Sequence, residues 1–270
     1  MWRRVVRSIR SIYGAALALR LENYIGEQLV VVDPDAIHQV RQALRRHLAE
    51  HLHSVLRKTY DACTVAGPYC PDAESAGRRS LRNLCLAYLM ERDDPGVRRL
   101  CEEQLNRADN MTDALAALTA LANCDCPERL PALARFYEKW QNEPLVVDKW
   151  LGVQAASRLP GTMGAVRQLT THPTFDLKNP NKVYALIGTF GGNQVNFHAA
   201  DGAGYALMGE QIATLDPINP QVAARITRNF ERWRRFDSNR QELMKTVLER
   251  LAKMSGLSKE VEEVVTKALL

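Results

Sequence analysis

Proline and helix-capping residues recur along this chain between short apolar stretches, and this punctuation constrains its fold more than any other feature. Asp33-Pro34, Asp94-Pro95, Asn179-Pro180 and Asn219-Pro220 each join a capping side chain to a proline that suits a first helical turn. Between these points, apolar residues recur at helical spacing and do not alternate as they would in a half-buried strand. The pattern predicts helices of roughly 10 to 20 residues joined by short loops.

The segment that follows Asp33 shows this pattern at its strongest. Its apolar residues keep to one helical stripe: Ile37, Val40, Leu44, Leu48, Leu52, Val55 and Leu56. The spacing predicts one amphipathic helix that ends near Tyr60 and buries this stripe. Leu29 to Val32 is the one candidate strand, and four apolar residues are too few to establish one.

Helix after helix without a sheet defines the fold class. With 270 residues and a hydrophobic fraction of 46%, the chain can form a sizeable core without metals or disulfides. We predict an all-α fold in which antiparallel helix pairs stack into a superhelix, as in armadillo or HEAT solenoids. No fixed sequence period marks the repeats, so a globular helical bundle is the alternative.

The six cysteines lie in the first half of the chain, and their spacing does not match that of a zinc ribbon. Cys124-Asp125-Cys126 is the one close pair, and a single intervening residue suits neither a zinc knuckle nor a thioredoxin-like motif. We therefore interpret all six as reduced core thiols of a cytoplasmic protein.

Charge and hydropathy give no indication of a nucleic-acid or membrane partner. The net charge of +5 comes from arginines that nearby acidic residues offset. The most basic run contains Arg225, Arg228, Arg232, Arg234 and Arg235. Glu231 and Asp237 dilute it, which favours a solvated helix over a phosphate-binding surface. The apolar run from Ile12 to Leu19 is far shorter than the roughly 18 residues needed to span a membrane.

One short motif has the form of a metallopeptidase site. His47-Leu48-Ala49-Glu50-His51 places two histidines one helical turn apart, with a glutamate that could activate a zinc-bound water. The motif falls among Arg45, Arg46 and His53 on the polar side of its helix, whereas a catalytic zinc needs a third ligand in a dry cleft. We interpret it as solvated helix surface and predict no metal cofactor in this chain.

Two glycine-rich stretches could be mistaken for phosphate-binding loops. Gly188, Gly191 and Gly192 form the first, and Asp201 to Gly204 forms the second. Neither contains the lysine of a phosphate-binding loop, and neither follows a strand. We expect both to be tight turns between helices.

Several segments together resemble the C-terminal helical domain of the aminopeptidase N type of gluzincin zinc metallopeptidase. The resemblance covers about residues 17 to 270 in order. Its residues are Asp33-Pro34, Arg82-Asn83, Cys85-Leu86, Asn110 to Leu118, Asp148-Lys149-Trp150, Asn179-Pro180-Asn181, Leu186-Ile187-Gly188, Phe197-His198-Ala199, Asp201-Gly202, Gly204-Tyr205, Asn219 to Ala223, Arg225, Asp237, Arg240-Gln241 and Thr266 to Leu269. Residues 1 to 16 are unmatched, which suggests a misassigned start or a truncated gene.

The resemblance implies a function without a catalytic centre. In this family the zinc lies in a separate thermolysin-like domain, and the helical domain closes over it as a lid and cavity wall. The implied partners are the catalytic and β domains of the same aminopeptidase, together with peptide substrates. Arg225 matches a family arginine that reaches toward the substrate cavity from the start of its helix. Tyr184 stands where relatives place a second arginine, which puts that contact in doubt.

A free-standing helical-repeat module that binds a peptide or protein along its concave face is the alternative function. Gene context separates the two hypotheses. An upstream reading frame that encodes HExxH and GxMEN motifs would identify this chain as part of an aminopeptidase. Expression of the chain alone, with a bound partner, would favour the module.

Overall fold

The computed structural model describes residue 19 and residues 21 to 270, and these fold almost entirely into helices. The helices are α1 (Glu22–Glu27), α2 (Pro34–His51), α3 (His53–Ala62), α4 (Ala73–Leu89), α5 (Pro95–Arg107), α6 (Met111–Ala122), α7 (Arg129–Trp140), α8 (Pro144–Ala155), α9 (Thr162–Leu169), α10 (Pro180–Val183), α11 (Thr189–Gly191), α12 (Gln194–Phe197), α13 (Ala203–Leu215), α14 (Pro220–Thr227), α15 (Ser238–Ala252) and α16 (Lys259–Leu269). A π-helical turn (Tyr184–Gly188) joins α10 to α11, and two 3-10 turns (Arg228–Phe230 and Trp233–Arg235) follow α14. The expectations for residues 1 to 16 and for the run that begins at Ile12 lie outside the described residues, apart from Leu19.

Side-chain caps explain why the helices begin where the sequence predicts. The Asp94 carboxylate accepts hydrogen bonds from the backbone amides of Gly96 (2.7 Å) and Val97 (3.3 Å) at the start of α5. Asn110 caps α6 in the same way through the amide of Asp113, at 2.9 Å. These bonds satisfy amides that have no partner within the helix. The predicted all-α fold class is confirmed.

The described residues form two compact units. The first contains Leu21 and Gln39–Lys139, and the second contains Glu22–His38 and Trp140–Leu270. In the first unit α5 packs on α6, and only residues 108–110 connect them. A connection this short requires antiparallel helices, so this unit contains the predicted helix pair. Leu86, Leu89, Leu118 and Leu121 are fully buried in its core.

Aromatic rings build the core of the second unit. Phe197 makes edge-to-face contacts with Phe190, Tyr205 and Phe230 at centroid separations of 5.2 to 6.1 Å. Beside them, the buried His198 ring stacks on Phe236 at 4.3 Å. Such geometries add to the stabilisation that burial itself provides. The aromatic cluster therefore fixes the relative positions of α11 to α13 and the turn after α14.

An ion-pair network borders this cluster. Arg240, whose side chain is only 5% exposed, donates from Nε to the His198 carbonyl at 2.6 Å. Its other nitrogens bind the carboxylates of Asp237 and Asp35, both at 2.6 Å. The network ties the start of α2 to α15 within the second unit. His198, Asp237 and Arg240, which belong to the resemblance, thus have structural partners.

His198 makes the stability of the chain depend on pH. Burial, with a further contribution from the nearby Arg240 guanidinium, lowers the pKa of His198 to about 3. Its Nδ1 atom lies 2.8 Å from the Tyr205 hydroxyl. Between pH 6.5 and 3 the unfolded chain takes up a proton at this residue and the folded chain does not, so stability falls as pH falls. We expect a loss of about 2 kcal/mol between about pH 6.5 and 4.5.

Urea denaturation at several pH values measures this effect. The comparison is His198→Asn, which keeps a polar atom near the Tyr205 hydroxyl but does not titrate. The variant should be less stable at pH 7 and should lose most of the slope between pH 6.5 and 4.5. Identical slopes in the two proteins would show that His198 is not the group responsible.

The stripe predicted for the segment after Asp33 is only partly buried. Ile37 and Leu56 are buried, but Val40 is 71% exposed and Leu44 is 43% exposed. A different face of α2 packs inward, since Ala49 is fully buried. On that face Arg45 binds the buried Glu91 carboxylate at 2.6 Å and the Ala87 carbonyl at 3.2 Å, and Gln42 also donates to Glu91. The predicted burial was therefore wrong for Val40 and Leu44, because an ion pair and a small residue face the core in their place.

Two other local predictions also need correction. The single helix expected to reach Tyr60 is interrupted at Leu52, between α2 and α3. Cys70 is exposed, and Cys124 and Cys126 are only half-buried, so these three are not the core thiols that we expected. Leu29 to Val32, which is too short for its sequence to establish a strand, forms none: within the described residues, Val32 makes only an isolated parallel bridge to Phe236.

Candidate functional site

Arg225 and Tyr184 lie together in the second unit. The Cζ atom of Arg225 is 4.9 Å from the centroid of the Tyr184 ring, which is the geometry of a cation–π contact. Arg225 is exposed and Tyr184 is half-buried. The structure therefore brings the two residues named from the sequence into one surface site.

Arg225 is presented to solvent by a short amphipathic helix. α14 contains eight residues and is capped by Asn219, whose side chain accepts from the Val222 amide at 3.2 Å. Ala223, Ala224 and the neighbouring Ile226 are buried, so Arg225 projects from the opposite face. The family resemblance placed Arg225 at the start of its helix. In the structure it lies in the last turn of α14, because this helix contains only eight residues.

Tyr184 begins the π-helical turn that interrupts the helical segment from Pro180 to Gly191. Before it, Lys182 is buried, and its Nζ atom lies 2.8 Å from the Asp148 carboxylate and 3.2 Å from the Pro144 carbonyl. After it, the Thr189 hydroxyl donates to the Tyr184 carbonyl at 3.3 Å. π-Helical turns are uncommon and occur often at functional sites. The sequence gave no signal for this one.

A contact between Gly191 and Asn229 also holds the segment that contains Tyr184 close to the segment that contains Arg225. A Cβ atom added to Gly191 would lie 2.8 Å from Oδ1 of Asn229, so only glycine fits without displacement of that side chain. Asn229 is fixed in turn because its Nδ2 donates to the Ile226 carbonyl at 2.7 Å. Gly191 and Asn229 therefore support the approach of Arg225 to Tyr184. No sequence pattern predicted this role for either residue.

The glycines of the two glycine-rich stretches have different roles. Gly202 adopts a φ of 71° before α13, which confirms the turn predicted there. Gly188 and Gly191 lie inside helical segments, so the prediction of a turn at these two residues was wrong. At Gly191 the close approach of Asn229 is the physical reason for glycine.

The chemistry available at this site is binding. One face of the Arg225 guanidinium lies over an aromatic ring, and the group makes no hydrogen bond or ion pair with the described residues. Its N–H edge can therefore hold a carbonyl or, through two bonds, a carboxylate. Tyr184 offers an aromatic face and a hydroxyl beside it.

The HxxEH motif does not have the geometry of a zinc site. His47, Glu50 and His51 are exposed on α2, and the two imidazole rings lie 4.0 Å apart. Nδ1 of His51 lies 3.0 Å from the His47 carbonyl, which occupies one of its nitrogens. Across residues 21 to 270, no group of three or more histidine, cysteine or acidic side chains could hold a metal ion. The motif does not fit the zinc of a metallopeptidase.

Three arginines of the basic run that follows α14 bind groups within the second unit. Arg235 donates to the Leu29 carbonyl at 2.6 Å, and Arg232 binds Glu27 at 3.0 Å. Arg234 donates to the carbonyls of Ala268 (2.5 Å) and Leu269 (2.8 Å) at the end of α16. These arginines therefore anchor the segment from Glu27 to Leu29 and the end of α16. In the part of the chain that the structure describes, no helix is both long and apolar enough to cross a membrane.

The chain matches a known domain family over almost its whole length. The family is described as a domain of unknown function (DUF3458_C) with ARM repeats, and the match covers residues 9–270. This description agrees with the helix pairs of the structure.

Curated relatives and a solved structure point to the same class of proteins. Aminopeptidase N of Escherichia coli is 39% identical over 254 residues, and aminopeptidase N of Caulobacter vibrioides is 38% identical over 256 residues. Each match covers 94% of this chain but only 29% of the relative. The crystal structure of Legionella pneumophila aminopeptidase A in complex with aspartic acid matches 96% of this chain and 33% of that chain. Its TM-score is 0.86 at 30% identity.

Proposed function

Since this chain belongs to the DUF3458_C family of ARM-repeat domains and is homologous to the C-terminal region of aminopeptidase N, we propose that it is the lid and cavity wall of a zinc aminopeptidase. The whole enzyme would remove N-terminal residues from peptides. The observation that carries this proposal is the match of 94% of the chain to 29% of a peptidase. The same match makes this a non-catalytic domain of a peptidase.

The Arg225–Tyr184 site gives this domain a means of contacting substrate. Arg225 is exposed, stacked on a ring and unpaired among the described residues, so its N–H edge is available to a ligand. A peptide presents carbonyl oxygens along its backbone and a carboxylate at its end. Arginine binds both groups well. We place peptide binding here and the reaction itself elsewhere in the enzyme.

The partners and cofactor follow from this assignment. The catalytic and β domains of the same aminopeptidase would be the partners, and zinc would be held in the catalytic domain. The chain would supply no metal ligand, which agrees with the poor geometry of HxxEH. We place the enzyme in the cytoplasm, with neither nucleic acid nor membrane as a partner.

An exposed apolar segment supports contact with other domains. In the second unit Val30 is 91% exposed, and its neighbours Leu29 and Val31 are also exposed. Contiguous exposed apolar side chains commonly mark interaction surfaces. These residues belong to the stretch from Ile12 to Val32, in which residues 12 to 18 and 20 lie outside the described residues.

We expect the isolated chain to self-associate through this segment. Addition of an Escherichia coli aminopeptidase N that lacks its matched region should replace self-association with a one-to-one complex. Analytical ultracentrifugation measures both states. Val30→Asp should weaken both associations, since a buried charge is costly in an interface.

Leu145→Asp is the matched control, because Leu145 is also an exposed apolar residue but lies outside this segment. It should leave both associations unchanged. A monodisperse chain that ignores the truncated enzyme would contradict the proposed role as a lid.

A free-standing binding module is the second candidate, and the ARM-repeat description favours it. In that case the chain would be expressed alone and would bind a peptide or protein along its concave face. An adjacent reading frame that encodes HExxH and GxMEN would decide for the aminopeptidase.

A further inference from the structure

Two cysteines share one turn of the first unit, far along the chain from Arg225. Cys124 and Cys126 lie between α6 and α7, and both are half-buried. The Cys126 amide donates to the Cys124 carbonyl at 3.1 Å. The Cys124 amide donates to the Leu121 carbonyl at 3.0 Å, and the backbone amide of Arg129 donates to the Cys126 carbonyl at 3.2 Å. The backbone of this turn is therefore fixed on both sides.

This hydrogen bond brings the two cysteines close to disulfide geometry. A bond from residue i+2 back to residue i defines a γ-turn, which is shorter than two extended residues at about 3.3 Å each. The Cα separation therefore falls within the range of about 4.4 to 6.8 Å that disulfides adopt.

Exposure separates this pair from the other cysteines. Cys63, Cys85 and Cys101 are buried, so an oxidant in solution cannot reach them in the folded chain. Cys70 is exposed, but Cys63 and Cys85, the cysteines on either side of it in sequence, are buried. Cys124 and Cys126 combine access to solvent with a backbone turn that holds them near each other.

We propose that Cys124 and Cys126 form a reversible disulfide when the protein meets a hydroperoxide. The Cys124 thiolate attacks the peroxide oxygen, the O–O bond breaks, and an alcohol or water leaves with the proton. Cys126 then attacks the resulting sulfenic sulfur, the S–O bond breaks, and water leaves. Two thiols lose two electrons and two protons in total, and one hydroperoxide is reduced.

The surroundings of the pair decide which thiol reacts first. Burial raises the pKa of Cys124, but the hydrogen bond from Cys126 and the positive charge of Arg98 oppose this increase. Burial, with further contributions from the neighbouring Cys124 and Glu128, raises the pKa of Cys126 to about 12. Asp93 also faces Cys124, and its charge works against the thiolate. Cys124 is therefore the attacking residue, and the reaction is slow at neutral pH.

Peptide mass analysis tests the disulfide directly. Trypsin cleaves after Arg107 and Arg129, so residues 108–129 form one peptide that contains Cys124 and Cys126 but no other cysteine. Cys101 falls in the separate peptide 100–107. The folded chain is treated with hydrogen peroxide, denatured, alkylated and digested. The 108–129 peptide should appear without alkylation and lighter by two hydrogens, and dithiothreitol should reverse the change.

Three comparisons make the result decisive. Cys124→Ser and Cys126→Ser should abolish the lighter peptide, whereas Cys70→Ser should not affect it. Separate alkylation of both cysteines after peroxide treatment, or a link to Cys101, would overturn the proposal.

Discussion

Replacement of Gly204 by alanine is expected to lower the free energy of unfolding by more than about 3 kcal/mol. A Cβ atom at this position would lie 2.4 Å from the Phe197 carbonyl oxygen and 2.9 Å from that of Asn196. Both obstacles are backbone atoms, so no side-chain rotation can relieve them. The start of α13 would have to move away from the aromatic cluster. Urea denaturation measures the loss, and a chain recovered only from inclusion bodies would agree with it.

Gly77→Ala is the matched control. Gly77 lies in α4, is exposed, and has no heavy atom within 4 Å of an added Cβ. Alanine restricts the unfolded chain and suits a helix, so this substitution should stabilise by up to about 1 kcal/mol. A Gly204→Ala chain as stable as the parent would show that the approach of Phe197 to α13 is wrong.

Arg225→Ala should lower kcat/KM for peptide substrates by about ten- to a hundredfold, because a charge-assisted hydrogen bond contributes about 1.5 to 3 kcal/mol. The test uses a chimera in which residues 17–270 replace the matched region of Escherichia coli aminopeptidase N. Zinc content and folding should not change, since Arg225 is exposed and makes no ion pair with the described residues.

Two further variants isolate the role of Arg225. Arg228 is also exposed and lies 3.9 Å from Glu231, so Arg228→Ala should leave kcat/KM unchanged. Tyr184→Phe should retain most of the activity because the ring remains, and Tyr184→Ala should lose part of it. If Arg225→Ala leaves kcat/KM unchanged on peptides of several lengths, Arg225 is simply a solvated surface residue.

Local signals in the sequence predicted the helix boundaries well. Asp94 caps α5 through short hydrogen bonds, as the Asp94-Pro95 pair predicted, and Asn219 caps α14, as the Asn219-Pro220 pair predicted. Capping depends on neighbours within a few residues, so one sequence contains the information. The all-α class and its helix pairs follow from these boundaries.

Burial was less predictable, because it depends on distant partners. Val40 and Leu44 have the spacing of a buried stripe, yet α2 turns Arg45 and Ala49 inward. The buried Glu91 carboxylate that binds Arg45 lies far along the chain, and helical periodicity contains no information about it. An arginine can pack its apolar stem in a core when its charge has a partner.

Only part of the candidate site could be predicted from the sequence. Arg225 and Tyr184 were named from a family resemblance, and no periodicity or spacing in this chain would have paired them. The π-helical turn at Tyr184 and the contact of Gly191 with Asn229 had no local signal. Gly191 and Asn229 are remote in sequence, which is why sequence patterns did not reveal their contact.

The aminopeptidase activity of the unsubstituted chimera tests the central claim most directly. If this chain is the lid and cavity wall of a zinc aminopeptidase, the chimera should hydrolyse aminoacyl arylamides within about tenfold of the Escherichia coli enzyme. The same enzyme without its matched region should be far less active. A chimera that is folded and loaded with zinc, but no more active than that truncated enzyme, would contradict the proposed function.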